Sequence, residues 1–584
     1  MVNFLVFKHY LTKSNNNTHI GQHMTHSTIR AKSGIFKGLN PTVTIASKVI
    51  LIAFILFIVI LANKAGHYFE TLATFLLYNM KWFSIGLVSL VVAFLIYLMV
   101  SRYGHIRLSE NDNDKPEFSF WAWISMLFSG GMGIGLVFWS VAEPMWHYAD
   151  NPFTEGLTDE SASMSMQLTF YHWGLHPWSL FVIVALALSY FSYRKGLPFT
   201  FRSILYPIVG ERIYGPIGHI ADIITVAVTA FGIAQTLSLG VIQINSGLQQ
   251  TFGIDISLTT QTILIVTLCT IAVGSVLSGV GRGIRLLSQW NMLLSLLLVL
   301  IILAIGPTRY IFNIFFESTG NYLQNIVQMG LWTDTQKDTN WQSSWTSFYW
   351  PWWMTWAPFV GMFIARISKG RTIRELIGGA LIAPTAIAFI WLSVFGGSAL
   401  KIEQNERNAF EKNNVTAQVS NSEQVIQQDE FVGGTVLKAT KEDSTRALFT
   451  LFNNLDEGLL GTILSILACI LLATYFITSA DSGTLVLCIL DAAGDTEPPK
   501  SIRVLWGIAI AVISWVLIYA GGLQAIKFAS IIIGFPISIF ILMMGVTLFY
   551  SIRREPKPWA MLPQHVRPGK DQLDEPIKHT NTIN

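Results

Sequence analysis

The chain has 584 residues, of which 52% are hydrophobic and 12% charged, with a mean hydropathy of +0.49. That composition excludes an ordinary soluble domain and implies a polytopic membrane protein, and a net charge of +3 gives no reason to expect a nucleic-acid partner. The three cysteines, Cys269, Cys469 and Cys488, fall in apolar runs and read as small core hydrophobes, not as a disulfide framework or a thiolate metal site.

Residues 1–42 are polar and lack the order of a secretory signal, so they are expected to form a disordered cytoplasmic tail. Apolar runs of spanning length, ~20 residues each, follow at roughly 43–63, 80–101, 119–141, 166–191, 217–247, 257–279, 286–306, 345–366, 376–398, 457–489, 502–520 and 525–550. Twelve spans place both termini on one side. The inner loops then hold Arg102, Arg107, Arg194, Lys195, Arg282, Arg285, Lys369, Arg371, Arg374, Arg553 and Arg554, whereas the outer loops at 142–165 and 248–256 hold no Lys or Arg. By the positive-inside rule both termini are cytoplasmic.

The third span carries Ser129-Gly130-Gly131-Met132-Gly133-Ile134-Gly135. Each Gly costs ~1 kcal/mol of helix propensity relative to Ala, so the run is either a GxxxG packing surface or an unwound segment lining a cavity. In the fourth span, Pro177 is expected to kink the helix and let Trp173, Trp178 and Phe181 converge. His172 and His176 have the i, i+4 spacing of a metal pair, but hydrogen-bonded packing is the preferred reading, since no Glu or Cys lies close by in sequence.

Residues 307–344 contain an amphipathic stretch, Ile311 to Met329, expected to lie along the surface as an interfacial or inter-subunit helix. Next comes the densest aromatic run, with Trp345, Tyr349, Trp350, Trp352, Trp353 and Trp356 leading into Arg366, Lys369, Arg371 and Arg374. Trp350, Trp353 and Trp356 recur at i, i+3, i+6 and keep to one side of a helix. They are either packing residues or an aromatic cage for a quaternary ammonium group. The outer segment 399–456 is rich in Gln, Asn and Glu and is expected to be a solvated insertion, with a lid over the outer vestibule as the alternative. In the tenth span, Thr474, Tyr475, Thr478, Ser479 and Ser482 make a hydroxyl patch suited to a hard cation such as Na⁺. Asp481 beside it is an ionisable group in or near the membrane, functional by default or paired with a basic partner near the cytoplasmic end.

Together these stretches resemble the betaine/choline/carnitine transporter family. The matching text is Gly131-Met132-Gly133-Ile134-Gly135 with Glu143-Pro144, His172-Trp173 with Pro177-Trp178, Phe348-Tyr349-Trp350 with Trp352-Trp353, the run Ala365 to Glu375, and Thr478-Ser479-Ala480-Asp481-Ser482. The resemblance implies an all-α membrane protein with a LeuT-type core of two inverted five-helix repeats, about 119–306 and 345–550, after two extra helices at 43–101. It also implies a homotrimer in membrane lipid, and a bacterial inner-membrane location.

The family's substrate box carries over to Trp173, Trp178 and Trp353, with Trp352 and Trp356 near the pathway and Phe181 where a tyrosine is common. One Na⁺ site maps to Ser129, Met132, Tyr475, Thr478 and Ser479, and a second to Thr229 and Phe359, although Ile233 stands where that second site expects a threonine. Pro351 replaces the alanine usual between the tryptophans. In family carriers thought to use protons, an aspartate tends to occupy the position of Gly135, so the glycine implies Na⁺ coupling and a zwitterion. The expected activity is Na⁺ symport of glycine betaine for osmoprotection, without a cofactor. Choline, carnitine, ectoine or proline transport, H⁺ coupling and a transport-derived sensor are the alternatives. No nucleophile-elbow or zincin pattern points to an enzyme. The segment 551–584 mixes Arg567 and Lys570 with Asp571, Asp574 and Glu575, so weak attraction to anionic lipid and little activation by osmolality are expected.

Overall fold

The computed structural model describes residues 29–60, 62–131, 133–278, 283–337, 339–420 and 430–555, apart from a few side chains next to the gaps. A chain crossing a bilayer must satisfy its backbone amides and carbonyls internally, and this one does so with helices. Among the described residues the only β-pairing is two isolated bridges. The first half comprises α1 (Pro41–Ile60), α2 (Ala62–Val100), α3 (Phe120–Gly131), α4 (Ile134–Ala149), α5 (Asp159–Trp173), α6 (Leu175–Leu188), α7 (Pro216–Phe252), α8 (Leu258–Ser278) and α9 (Gly283–Ile305). The second comprises α10 (Thr308–Leu331), α11 (Thr346–Ile367), α12 (Ala383–Ser420), α13 (Thr435–Glu442), α14 (Ala447–Leu455), α15 (Leu459–Asp491), α16 (Lys500–Tyr519) and α17 (Gly522–Ile552).

Ten of the helical runs in the described residues are long and apolar enough to cross a membrane. The other two expected spans are helical but stand outside that set for physical reasons. One is split into α3 and α4, of 12 and 16 residues. The other, α11, carries Pro351, Pro358 and its indoles in place of aliphatic side chains. Helix α11 is enclosed, packing most extensively on α6 and α17 and also against α7 and α2, and nearly all of its residues are buried.

Two interruptions of the membrane pattern differ in outcome. Helix α10 is amphipathic as expected: Ile311, Ile314, Tyr322 and Met329 are buried against α5 and α12, while Phe316, Leu323 and Val327 remain exposed. The segment 399–456 departs from the solvated insertion. Helix α12 continues through the polar sequence to Ser420, and α13 and α14 bury Val436, Leu437, Leu448, Phe449, Leu451 and Phe452 against α4 and its neighbours. The acidic residues that argued against a core serve as caps. Glu403 accepts hydrogen bonds from the Gly434 and Leu437 amides at 2.6 and 2.8 Å, and Glu406 from the Thr435 amide at 2.6 Å. Carboxylates at a helix N-terminus meet its unsatisfied amides and the positive end of its dipole.

Candidate binding site

The glycine run of the third span is a break: α3 ends at Gly131 and α4 begins at Ile134, with the Leu136 amide already bonded to the Gly133 carbonyl at 3.1 Å. Gly135 is fixed by what surrounds it. A Cβ there would stand 2.8 Å from Trp352 Cη2 and 3.4 Å from Trp173 Cη2, so the missing methyl lets two indoles approach the start of α4.

A second break lies in the fourth span, and its location corrects the expectation from Pro177. Helix α5 ends at Trp173 and α6 begins at Leu175, with Gly174 between them. Pro177 lies in the first turn of α6, where a missing amide costs least. Gly174 takes the bend because a Cβ would fall 2.6 Å from the Phe170 carbonyl oxygen and 2.8 Å from the Tyr322 hydroxyl. That hydroxyl in turn accepts the Leu175 amide at 3.0 Å.

The two breaks and α11 bring the aromatic residues into one cluster. Trp173 meets Trp353 edge-to-face at 5.1 Å and Trp352 at 6.0 Å; Phe181 meets Trp353 at 5.4 Å and Trp178 at 5.5 Å. Trp356 closes the α11 side, 5.8 Å from Trp352 and 6.4 Å from Trp353. All six are buried, and the indole N–H groups of Trp178, Trp353 and Trp356 have no hydrogen-bond partner. Trp350 is not part of this box, despite its i, i+3 relation to Trp353. It turns to the opposite side, stacked on His176 at 5.9 Å and edge-on to Tyr171 at 5.3 Å.

Behind Trp173 lies a polar knot that sequence pattern did not reveal. Glu143, wholly buried on α4, accepts hydrogen bonds from Trp173 Nε1 at 2.7 Å and from the Tyr349 hydroxyl. Its other oxygen faces His172 Nδ1 at 2.7 Å and His147 Nε2 at 3.3 Å, and His172 Nε2 lies 2.9 Å from Thr346 Oγ1. The ligand atoms of Glu143, His147 and His172 lie within 4.8 Å of one another, close enough to hold a metal ion. The lengths quoted are those of hydrogen bonds, and these contacts account for the grouping without one. His172 and His176 are not a pair: one belongs to the knot and the other to Trp350.

The residues matched to the first cation site divide. Met132 and the Ser129 side chain lie outside the described residues. The Ser479 hydroxyl is turned to the break, 3.9 Å from where a Cβ on Gly133 would be. Thr478 Oγ1 instead accepts from Asn291 Nδ2 at 3.1 Å, and the Tyr475 hydroxyl lies 3.0 Å from Ser295 Oγ, so both are engaged by α9. At the second site the Thr229 hydroxyl is buried without a partner, an orphan oxygen that a cation could use, and Phe359 is buried on α11. Ile233 fills the space beside Gly483 of α15, so it supplies packing where an oxygen was expected. Asp481 takes a hydrogen bond from Ser275 at 2.6 Å and forms no ion pair among the described residues.

Residues that sequence reasoning missed are Asn291 and Ser295, polar positions of α9, and Lys527, a lone cation in the first turns of α17. For the last the signal was available, because a basic residue in an apolar span is rare.

A family model described as betaine/carnitine/choline family transporter matches residues 42–557. The glycine betaine transporter OpuD of Bacillus subtilis is 41% identical over 489 residues, covering 83% of this chain and 89% of that protein. A glycine betaine transporter of Acinetobacter baylyi is 36% identical, covering 89% of this chain and 74% of its own length. The osmo-dependent choline transporter BetT2 of the same organism is 37% identical, with 88% of this chain and 72% of that protein covered.

Proposed function

The chain belongs to the betaine/carnitine/choline transporter family, and from that premise we propose that it is a Na⁺-coupled importer of glycine betaine working by alternating access. The observation that carries the substrate class is the box of Trp173, Trp178, Phe181 and Trp353, whose rings meet edge-to-face at 5.1–5.5 Å. Indole faces attract a trimethylammonium group through their quadrupoles, and a desolvated cage strengthens that attraction. Edge-to-face pairs hold the rings in place, each adding about 0.5–1.5 kcal/mol beyond area burial.

Gly135 supports the zwitterion and the coupling ion at once. An aspartate there would give a titratable group and a counter-charge for a bare cation, but Trp352 occupies the space its Cβ would need. A zwitterion brings its own carboxylate and so avoids the cost of an uncompensated buried charge. Ser479, facing the break, supports a Na⁺ site between α15 and the unwound segment, and the carbonyls freed there would supply further oxygens. In this reading the first inverted repeat opens on broken α3 and α4, the second on proline-interrupted α11, and twelve spans place both termini in the cytoplasm of a bacterial inner membrane. The exposed apolar face of α10 is assigned to lipid or to neighbouring copies in a homotrimer.

Choline is the competing substrate, since a similar relative carries that name. Uptake of labelled glycine betaine into proteoliposomes, with a Na⁺ gradient or with a proton gradient in Na⁺-free medium, tests the proposal. Uptake with Na⁺ alone is the expected result. Equal uptake with protons would remove Na⁺ coupling and move choline to first place. No accumulation under either gradient would favour a sensor.

A further inference from the structure

Lys527 lies on the sixth residue of α17, inside the membrane run, and its ammonium is held among rings. It sits 5.2 Å from the ring centre of Trp139, 5.2 Å from Phe348 and 5.7 Å from Trp345, all three of them buried. Among the described residues it forms no ion pair. A lysine near a helix end ordinarily extends its ammonium toward the headgroups. This one is half-buried and lies against α4 and the start of α11, where three ring faces surround the ammonium.

The rings that hold Lys527 lead to the box. Phe348 stacks on Trp352 at 6.0 Å, and Trp352 meets Trp173 at 6.0 Å. On the other side, Trp139 meets Tyr349 at 6.0 Å, and Tyr349 donates to Glu143, which also holds Trp173. Two charges of opposite sign, a buried carboxylate and a half-buried ammonium, therefore adjoin the box by different routes, the carboxylate through Trp173 and the ammonium through Phe348 and Trp352. A zwitterion gains from both when its ammonium lies in the box and its carboxylate is directed to the Lys527 side. A bare cation gains only from the first and is repelled by the second.

We propose that Lys527, with Trp139, Trp345 and Phe348, forms a carboxylate-recognising subsite next to the aromatic box that selects zwitterionic trimethylammonium compounds over bare cations. This rests on the reading of the box as the substrate site. A single charge near 10 Å in a medium of intermediate dielectric changes binding by roughly tenfold, which sets the expected effect.

The test measures equilibrium binding of glycine betaine and of choline to the purified full chain in detergent with Na⁺. In Lys527→Met, which keeps the length and apolar stem, half-saturation by glycine betaine should rise about tenfold while that by choline stays or falls. Lys527→Arg should keep the preference of the parent. If Lys527→Met does not fold, Lys527→Gln reads the same ratio. An unchanged betaine-to-choline ratio in the neutral variant overturns the subsite and leaves the box intact, and so does an arginine variant that loses as much as the neutral one. A parent that binds neither compound overturns the box itself and the subsite with it.

Discussion

Trp173 is the boundary between two regions built on opposite terms. Behind it both oxygens of Glu143 are engaged, by Trp173 and Tyr349 on one and by His172 and His147 on the other. In front of it the indole N–H groups of Trp178, Trp353 and Trp356 are buried and unpartnered. A buried donor without an acceptor forfeits roughly 1–3 kcal/mol. A satisfied carboxylate therefore makes a wall that keeps its shape, whereas open donors and ring faces leave a surface that gains when a ligand arrives. With the box taken as the proposed substrate site, the difference separates a part that positions from a part that binds.

The largest effect should come from the wall. Glu143→Ala leaves two imidazoles, an indole and a phenol without their shared acceptor, and losing one partner of a buried charged network costs about 3–5 kcal/mol. The measurement is thermal unfolding in detergent, and a variant as stable as the parent would show that the wall does not depend on the carboxylate. In the box, Trp353→Leu removes buried ring contacts and so lowers the unfolding temperature, but the effect that marks the cage is a weakening of glycine betaine binding in the folded variant by ~2 kcal/mol, roughly thirtyfold. Binding as tight as the parent's would place the cage elsewhere. Trp173→Phe tests the boundary itself, because it keeps one aromatic ring while removing the N–H that reaches Glu143 together with part of the indole face. Affinity and stability should then fall together, each by about 1.5 kcal/mol; a fall in one alone would assign Trp173 to a single region.

The smallest expected change concerns the hydroxyls of α15. Ser479→Ala should raise the Na⁺ concentration for half-maximal uptake about fivefold, equivalent to ~1 kcal/mol. Thr478→Ala should act less directly, since its oxygen is already engaged by Asn291. Equal effects from the two would place both oxygens on the ion.

The apolar runs were legible because a membrane span is a local pattern, and the glycine run stood out because propensity is local too, although sequence left a packing surface and a break as alternatives. The box could be listed from the family's motif, yet Trp350 shows the limit of spacing: a helix face says which residues point alike only until neighbours select among them, and His176 and Tyr171 took that ring. Glu143 was part of a quoted motif, but its donors lie 4, 29, 30 and 206 residues away, separations that no periodicity records. The bend at Gly174 and not at Pro177 has a comparable cause, since the deciding contact is Tyr322 from a helix much later in the chain. In 399–456, reading Gln and Glu as solvated overlooked that carboxylates can cap buried helix starts.

One consequence of that bend concerns time, not affinity. The Leu175 amide is bonded to a phenol oxygen of α10 and to no helix carbonyl. Its hydrogen–deuterium exchange therefore follows the lifetime of one side-chain tether between the amphipathic helix and the hinge beside Trp173. That single amide gives a clock for motion at the hinge, one that can be read with and without substrate and without labelling any residue of the box.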